Sequence, residues 1–181
     1  TYTGGAAHPV NDLRFQTSAF ADPQGEDSFA AMQWRMAEIN DTAAPGYVSG
    51  EPLLLEIKAG YDSGEMAPWS ADFRFPARAC IAGHTYRARA RMKDNTGRWS
   101  HWSAPVQFTA TAADLSLYQN ALVISELMYH PLPPTAAEAA QGWTEEDFEY
   151  VELRNTGTVP ADLTDVRFTK GINFDFPAGF T

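Results

Sequence analysis

In the first half of the chain, apolar residues recur at every second position in short runs. That is the pattern of β-strands with one buried face. Residues 13–20 alternate this way, and residues 30–36 do so more clearly, with Met32, Trp34 and Met36 on one side. Residues 53–57 and 73–75 predict shorter strands, with a loop over 41–51. The strongest alternation lies at 86–92, where Tyr86, Ala88, Ala90 and Met92 share one face and Arg87, Arg89 and Arg91 the other. Asp94-Asn95-Thr96-Gly97 is a turn signal, so residues 99–103 are expected to return beside this strand as another. In the second half, strands are predicted over 122–129, 148–154, 161–168 and 172–176. A helical turn at 117–120 and a short helix at 135–141, inside a proline-rich loop, interrupt them. Short strands joined by tight turns at this spacing predict an all-β fold of the sandwich type.

The returning segment carries Trp99 and Trp102 toward the arginine face. Two indoles and a column of guanidinium planes form an external ladder of Arg87, Arg89, Arg91, Trp99 and Trp102. Each cation–π contact in such a ladder contributes roughly 0.5–1 kcal/mol when exposed. Trp34, central in its strand, is the candidate for a large aromatic between two sheets.

Residues 99–103, Trp-Ser-His-Trp-Ser, match a WSxWS motif, and the stretch around them resembles the last two strands of a fibronectin type III domain. Gly83-His84-Thr85-Tyr86 is similar to that family's entry into the penultimate strand, where a tyrosine folds back on the preceding loop. WSxWS is best known from cytokine receptors, which also carry paired cysteines and a membrane span. This chain has neither, so the resemblance implies the fold and the ladder rather than cytokine binding. Residues 123–131 (VISELMYHP), 148–156 (FEYVELRNT), 163–168 and 174–179 resemble, in order, the opening strands of the lamin-tail domain of bacterial proteins. That resemblance implies a second immunoglobulin-like β domain, of which these residues form a part, with unpaired strand edges and an exposed core face. The expected organisation is a fibronectin type III-like domain at 8–112 and a partial lamin-tail-like domain at 120–181.

Charge separates the same halves. Residues 1–113 hold ten Lys/Arg against twelve Asp/Glu, whereas residues 114–181 hold three against eleven, a net −8 of the total −10. The acidic half argues against nucleic acid and anionic membrane surfaces, both of which reward basic patches. No apolar run is long enough for membrane insertion. The single Cys80 excludes an internal disulfide and is expected half-buried at a strand start. A chain opening Thr1-Tyr2-Thr3 reads as a portion of a longer protein.

Candidate chemistry is sparse. Cys80 and His84 are four apart, but they flank a turn and have no third group to orient them, so a packing role is the stronger reading. Asp22, Glu26 and Asp27, in a Pro/Gly turn, could supply oxygen ligands to Ca²⁺, although their spacing is not that of an EF-hand. Otherwise no cofactor is implied. The denser run Glu145, Glu146, Asp147 and Glu149 reads as a solvated loop. Glu126 and Glu152 sit in strands and are expected to face solvent or to meet Arg154 or Arg167.

These observations lead to the expectation of a non-catalytic spacer and interaction module of a larger secreted or cell-surface bacterial protein, its partners being the neighbouring domains of that protein. Two other readings stay open. One is a carbohydrate- or polymer-binding module using Trp69, Trp99, Trp102 and Trp143, whose rings could stack on sugars or on a partner protein. The other is an accessory fragment of an exported enzyme to whose site Glu126, Glu149 or Glu152 contributes.

Overall fold

The computed structural model describes residues 1–40, 47–51, 54, 56–177 and 179–181. It is mostly strand, in antiparallel sheets, with two short helices. The chain divides into two compact units, Thr1–Asp114 and Leu115–Thr181.

In the first unit, β2 (Phe29–Ile39) and β5 (Thr85–Asp94) are the long central strands of a four-stranded sheet. β3 (Tyr61–Asp62) flanks β2, and β6 (Val106–Thr109) flanks β5. A separate two-stranded sheet pairs β1 (Leu13–Gln16) with β4 (Asp72–Phe75), setting Leu13 opposite Phe75 and Phe15 opposite Phe73. Alternation explains the core: Leu13, Phe15 and Phe75 of one sheet pack with Met32, Trp34, Met36, Tyr86, Ala88, Ala90 and Phe108 of the other. The predicted inward faces of 30–36 and 86–92 are therefore the observed ones, although Met92 is only partly buried.

Aromatic rings interlock across this core. Trp34 lies parallel to Phe73 with centroids 5.3 Å apart. Phe75 meets Phe15, Trp34, Tyr61 and Phe73 edge-on. Tyr86 is buried, and its hydroxyl accepts the Ile81 N–H at 2.8 Å, so the ring folds back on the preceding loop.

In the first unit β1 stops at Gln16, short of the expected 20, and two expected strands are not seen among the described residues. The one at 53–57 lies partly outside the described residues, and at Leu54, Glu56 and Ile57 the chain is not extended into a sheet. Glu56 instead adopts φ 62°, a left-handed conformation uncommon for a residue with a side chain. Residues 99–103 are not a strand either. The N–H groups of Ser100 and Ser103 donate to the Met92 and Ala90 carbonyls, and the two serine hydroxyls accept the N–H groups of the same residues. Three residues of this segment thus keep step with two of β5. The mismatch is what brings Trp99 and Trp102 to one side, since in a strand residues three apart point to opposite faces.

In the second unit, α1 (Ser116–Ala121) runs into β7 (Leu122–Met128), which pairs with β8 (Tyr150–Asn155). Helix α2 (Ala136–Ala139) is closed by a capping box. Glu138 Oε2 accepts the N–H and hydroxyl of Thr135, and Thr135 Oγ1 accepts the Glu138 N–H. β9 (Arg167–Phe168) pairs with β10 (Phe174–Asp175). The longer strand expected at 161–168 is broken because Asp165 takes φ 64° and the Val166 N–H turns back to the Leu163 carbonyl. Ala121, Ala161 and Leu163 are buried, whereas Ile124 and Leu127 are 59% and 56% exposed. Among the described residues no helix is long and apolar enough to cross a membrane.

Candidate functional site

The outer face of β2 and β5 holds the most organised group of side chains in the first unit. Residues between the inward-pointing Met32, Trp34 and Met36 must point outward, so Gln33 and Arg35 of β2 stand beside Arg91 and Arg89 of β5, their register partners. Arg91 lies between the indoles, its guanidinium carbon 4.2 Å from the Trp99 ring centre and 4.5 Å from that of Trp102. Lys93 Nζ is 5.5 Å from Trp99, and Arg35 is 6.0 Å from Trp102. Arg91 Nε also donates to Gln33 Oε1 at 2.8 Å, and Gln33 Nε2 donates to Asp62. The stack is built from Lys93, Trp99, Arg91, Trp102 and Arg35.

This corrects the expected ladder. Arg91 and both tryptophans take the places anticipated, but Arg87 and Arg89 lie against Glu56. Arg89 donates to both Glu56 carboxylate oxygens and, through Nη1, to the Ser103 carbonyl at 2.8 Å. Arg87 Nη1 is 3.5 Å from Glu56 Oε2. Arg35 Nη2 donates to the Glu56 and Ile57 carbonyls at 2.6 and 3.0 Å. The physical reason is the register. Arg35 opposite Arg89 is a like-charge pair, which is destabilising unless an anion stands between. The Glu56 carboxylate neutralises Arg89, and the Glu56 and Ile57 carbonyls take the donors of Arg35. Sequence reasoning missed Arg35, Lys93, Gln33 and Glu56. Alternation already put the first and third on the outer face, but nothing local tells that β2 pairs with β5.

The Arg89 hydrogen bond holds the Glu56 carboxyl below its usual value of 4.5. A carboxylate whose folded pKa is depressed contributes stability that is present above the unfolded pKa and is lost as pH falls through the folded value. Glu56→Gln is therefore expected to lower stability at pH 7 and to flatten the loss of stability below pH 4.5. Denaturant unfolding of both proteins at pH 7 and pH 3 checks it; equal pH dependence in the two would show that Glu56 is not engaged.

The other candidates sit apart. Asp22 Oδ1 accepts the Gln24 N–H at 2.8 Å in a tight turn, and Glu26 and Asp27 begin a 3₁₀ turn (Glu26–Ser28). They are not drawn together: among the described residues no group of three or more His, Cys, Asp or Glu side chains is placed to hold a metal ion. Cys80 lies half-buried in the loop before β5, not at a strand start, and burial pushes its thiol up to about 11. His84 turns away from it, with Nδ1 2.7 Å from Glu38 Oε1.

Trp69 and Trp143 are exposed, Trp143 meeting Phe148 edge-on, whereas Trp99 and Trp102 are half-buried in the stack. Glu126 and Glu152 are register partners on the exposed β7–β8 pair. They accept hydrogen bonds from the Tyr150 and Ser125 hydroxyls, not from Arg154 or Arg167. Glu149 precedes β8 at the end of a 3₁₀ turn (Glu145–Phe148). Comparison with protein-family models, curated proteins and solved structures finds no match to this chain.

Proposed function

We propose that this chain is a non-catalytic spacer and interaction module of a larger extracellular or cell-surface protein of bacterial type. Its first unit is read as a fibronectin type III-like sandwich and its second as part of an immunoglobulin-like, lamin-tail-like domain. The observation that carries this reading is the stack on the outer face of β2 and β5. Its guanidinium groups, indoles and Glu56 carboxylate are bound to one another and to β-sheet backbone, so the face is spent on stiffening the first unit. Tyr86, folded back onto the loop before β5, supports the same family resemblance.

A spacer must hold its ends at a defined separation. Donor and acceptor fluorophores placed next to Asn95 and Asp114, both within the first unit, are expected to give a narrow distribution of transfer efficiencies. A distribution as broad as that of the chain in denaturant would overturn the proposal.

A further inference from the structure

Beside the stack, the first unit has a groove that the spacer reading leaves unused. It runs between residues 18–24, which follow β1, and the turn that ends β5, and it encloses about 490 Å³. Pockets for small ligands generally span roughly 300–1,000 Å³. Phe20, Met92 and Trp99 supply its apolar walls, and Asp22, Asp94 and Arg98 its charged groups. We propose that this groove binds a neutral sugar residue of a polysaccharide chain.

The two carboxylates are held in place before any ligand arrives. Asp22 spends Oδ1 on the Gln24 N–H. Asp94 spends Oδ1 on the N–H and hydroxyl of Thr96 and the N–H of Arg98. Those hydrogen bonds, the Thr96 hydroxyl first, hold the Asp94 carboxyl below its ordinary range, so it is an ionised acceptor at neutral pH. Each carboxylate accepts through Oδ1 alone, which leaves Oδ2 for a ligand. Arg98 adds a fork of donors that matches adjacent hydroxyls.

Two carboxylates against one guanidinium leave a small negative excess, which disfavours phosphorylated or sulfated ligands. Adjacent hydroxyls on a ring with apolar C–H faces satisfy all three groups while covering Phe20 and the Met92 thioether, and Trp99, whose faces meet Lys93 and Arg91, borders the groove with its edge. A purely apolar ligand would bury these charges without partners, at high cost.

The test is titration of the ¹⁵N-labelled full chain with cellohexaose, xylohexaose, mannohexaose and chitohexaose, following the Trp99 indole N–H. At least one sugar is expected to shift that resonance with a millimolar or tighter Kd. The double variant Asp22→Asn, Arg98→Ala keeps the Asx-turn acceptor and removes no core atom. It is expected to weaken binding at least about tenfold, the equivalent of losing one charged hydrogen bond. No shift of the Trp99 indole with any of the four sugars would overturn the proposal. So would binding that the double variant leaves unchanged, or that Trp143→Ala alone abolishes.

Discussion

Replacing Phe75 by alanine is expected to cost the first unit about 3–5 kcal/mol. The ring is fully buried and stands edge-on to four others, so its removal leaves a cavity walled by Phe15, Trp34, Tyr61 and Phe73. The site is poorly able to collapse. Leu13, its register partner, is pinned by the β1–β4 pairing, and Trp34 is fixed by its parallel contact with Phe73. Against a total stability of roughly 5–15 kcal/mol for a domain, the loss is large enough to leave the unit marginal. It corresponds to a fall in Tm of about 10–20 °C, read by near-ultraviolet circular dichroism. Phe75→Leu, which keeps much of the volume, is expected to cost less. A loss below about 1 kcal/mol for the alanine variant would mean that β1–β4 does not close on the four-stranded sheet.

What the sequence makes legible here is what depends on neighbours along the chain. Period-two patterning placed Met32, Trp34 and Met36 inward because burial on a strand depends only on parity. The turn at 94–97 could be read because Asp94 caps its own following N–H groups and Gly97 takes φ 89°. The Thr135–Glu138 capping box is local in the same way. Register between strands some fifty residues apart is not local, and the composition of the stack follows from it. Once Gln33 lies beside Arg91 and Arg35 beside Arg89, Arg91 is left to the indoles and the other arginines need an anion.

Glu56 met that need from a segment read as a strand, and nothing in the residues before it announces the left-handed conformation it takes. Residues 99–103 failed differently. Trp-Ser-x-Trp-Ser has a period of three, which alternation cannot describe. The serines repeat in the segment as hydrogen-bond partners for every second residue of β5. In the second unit, Asp165 broke a stretch read as one strand: its apolar positions fall at 161 and 163 and then at 166 and 168, a change of parity at the left-handed aspartate.

The same register sets which arginine matters most to the ladder, and Arg91→Ala is expected to cost about 2 kcal/mol. Its guanidinium meets two indoles, each contact contributing roughly 0.5–1 kcal/mol or more where water is partly excluded. The Nε bond to Gln33 adds about another 1 kcal/mol. Removing the group also frees both tryptophans, because Trp99 and Trp102 are held to β5 through backbone only at Ser100, Ser103 and the Lys93–Trp99 bridge. Arg91→Lys keeps the charge but loses the plane that stacks and the Nε donor, so an intermediate loss is expected. Arg87, half-exposed and 3.5 Å from Glu56, is the internal control, and Arg87→Ala is expected to change stability by less than about 1 kcal/mol. A double-mutant cycle between Arg91→Ala and Trp99→Ala isolates the contact itself, with a coupling of about 1 kcal/mol expected. Urea unfolding followed by tryptophan fluorescence gives all the values. Additive losses in the cycle would mean that Trp99 and Arg91 stabilise the unit independently, with no stack between them.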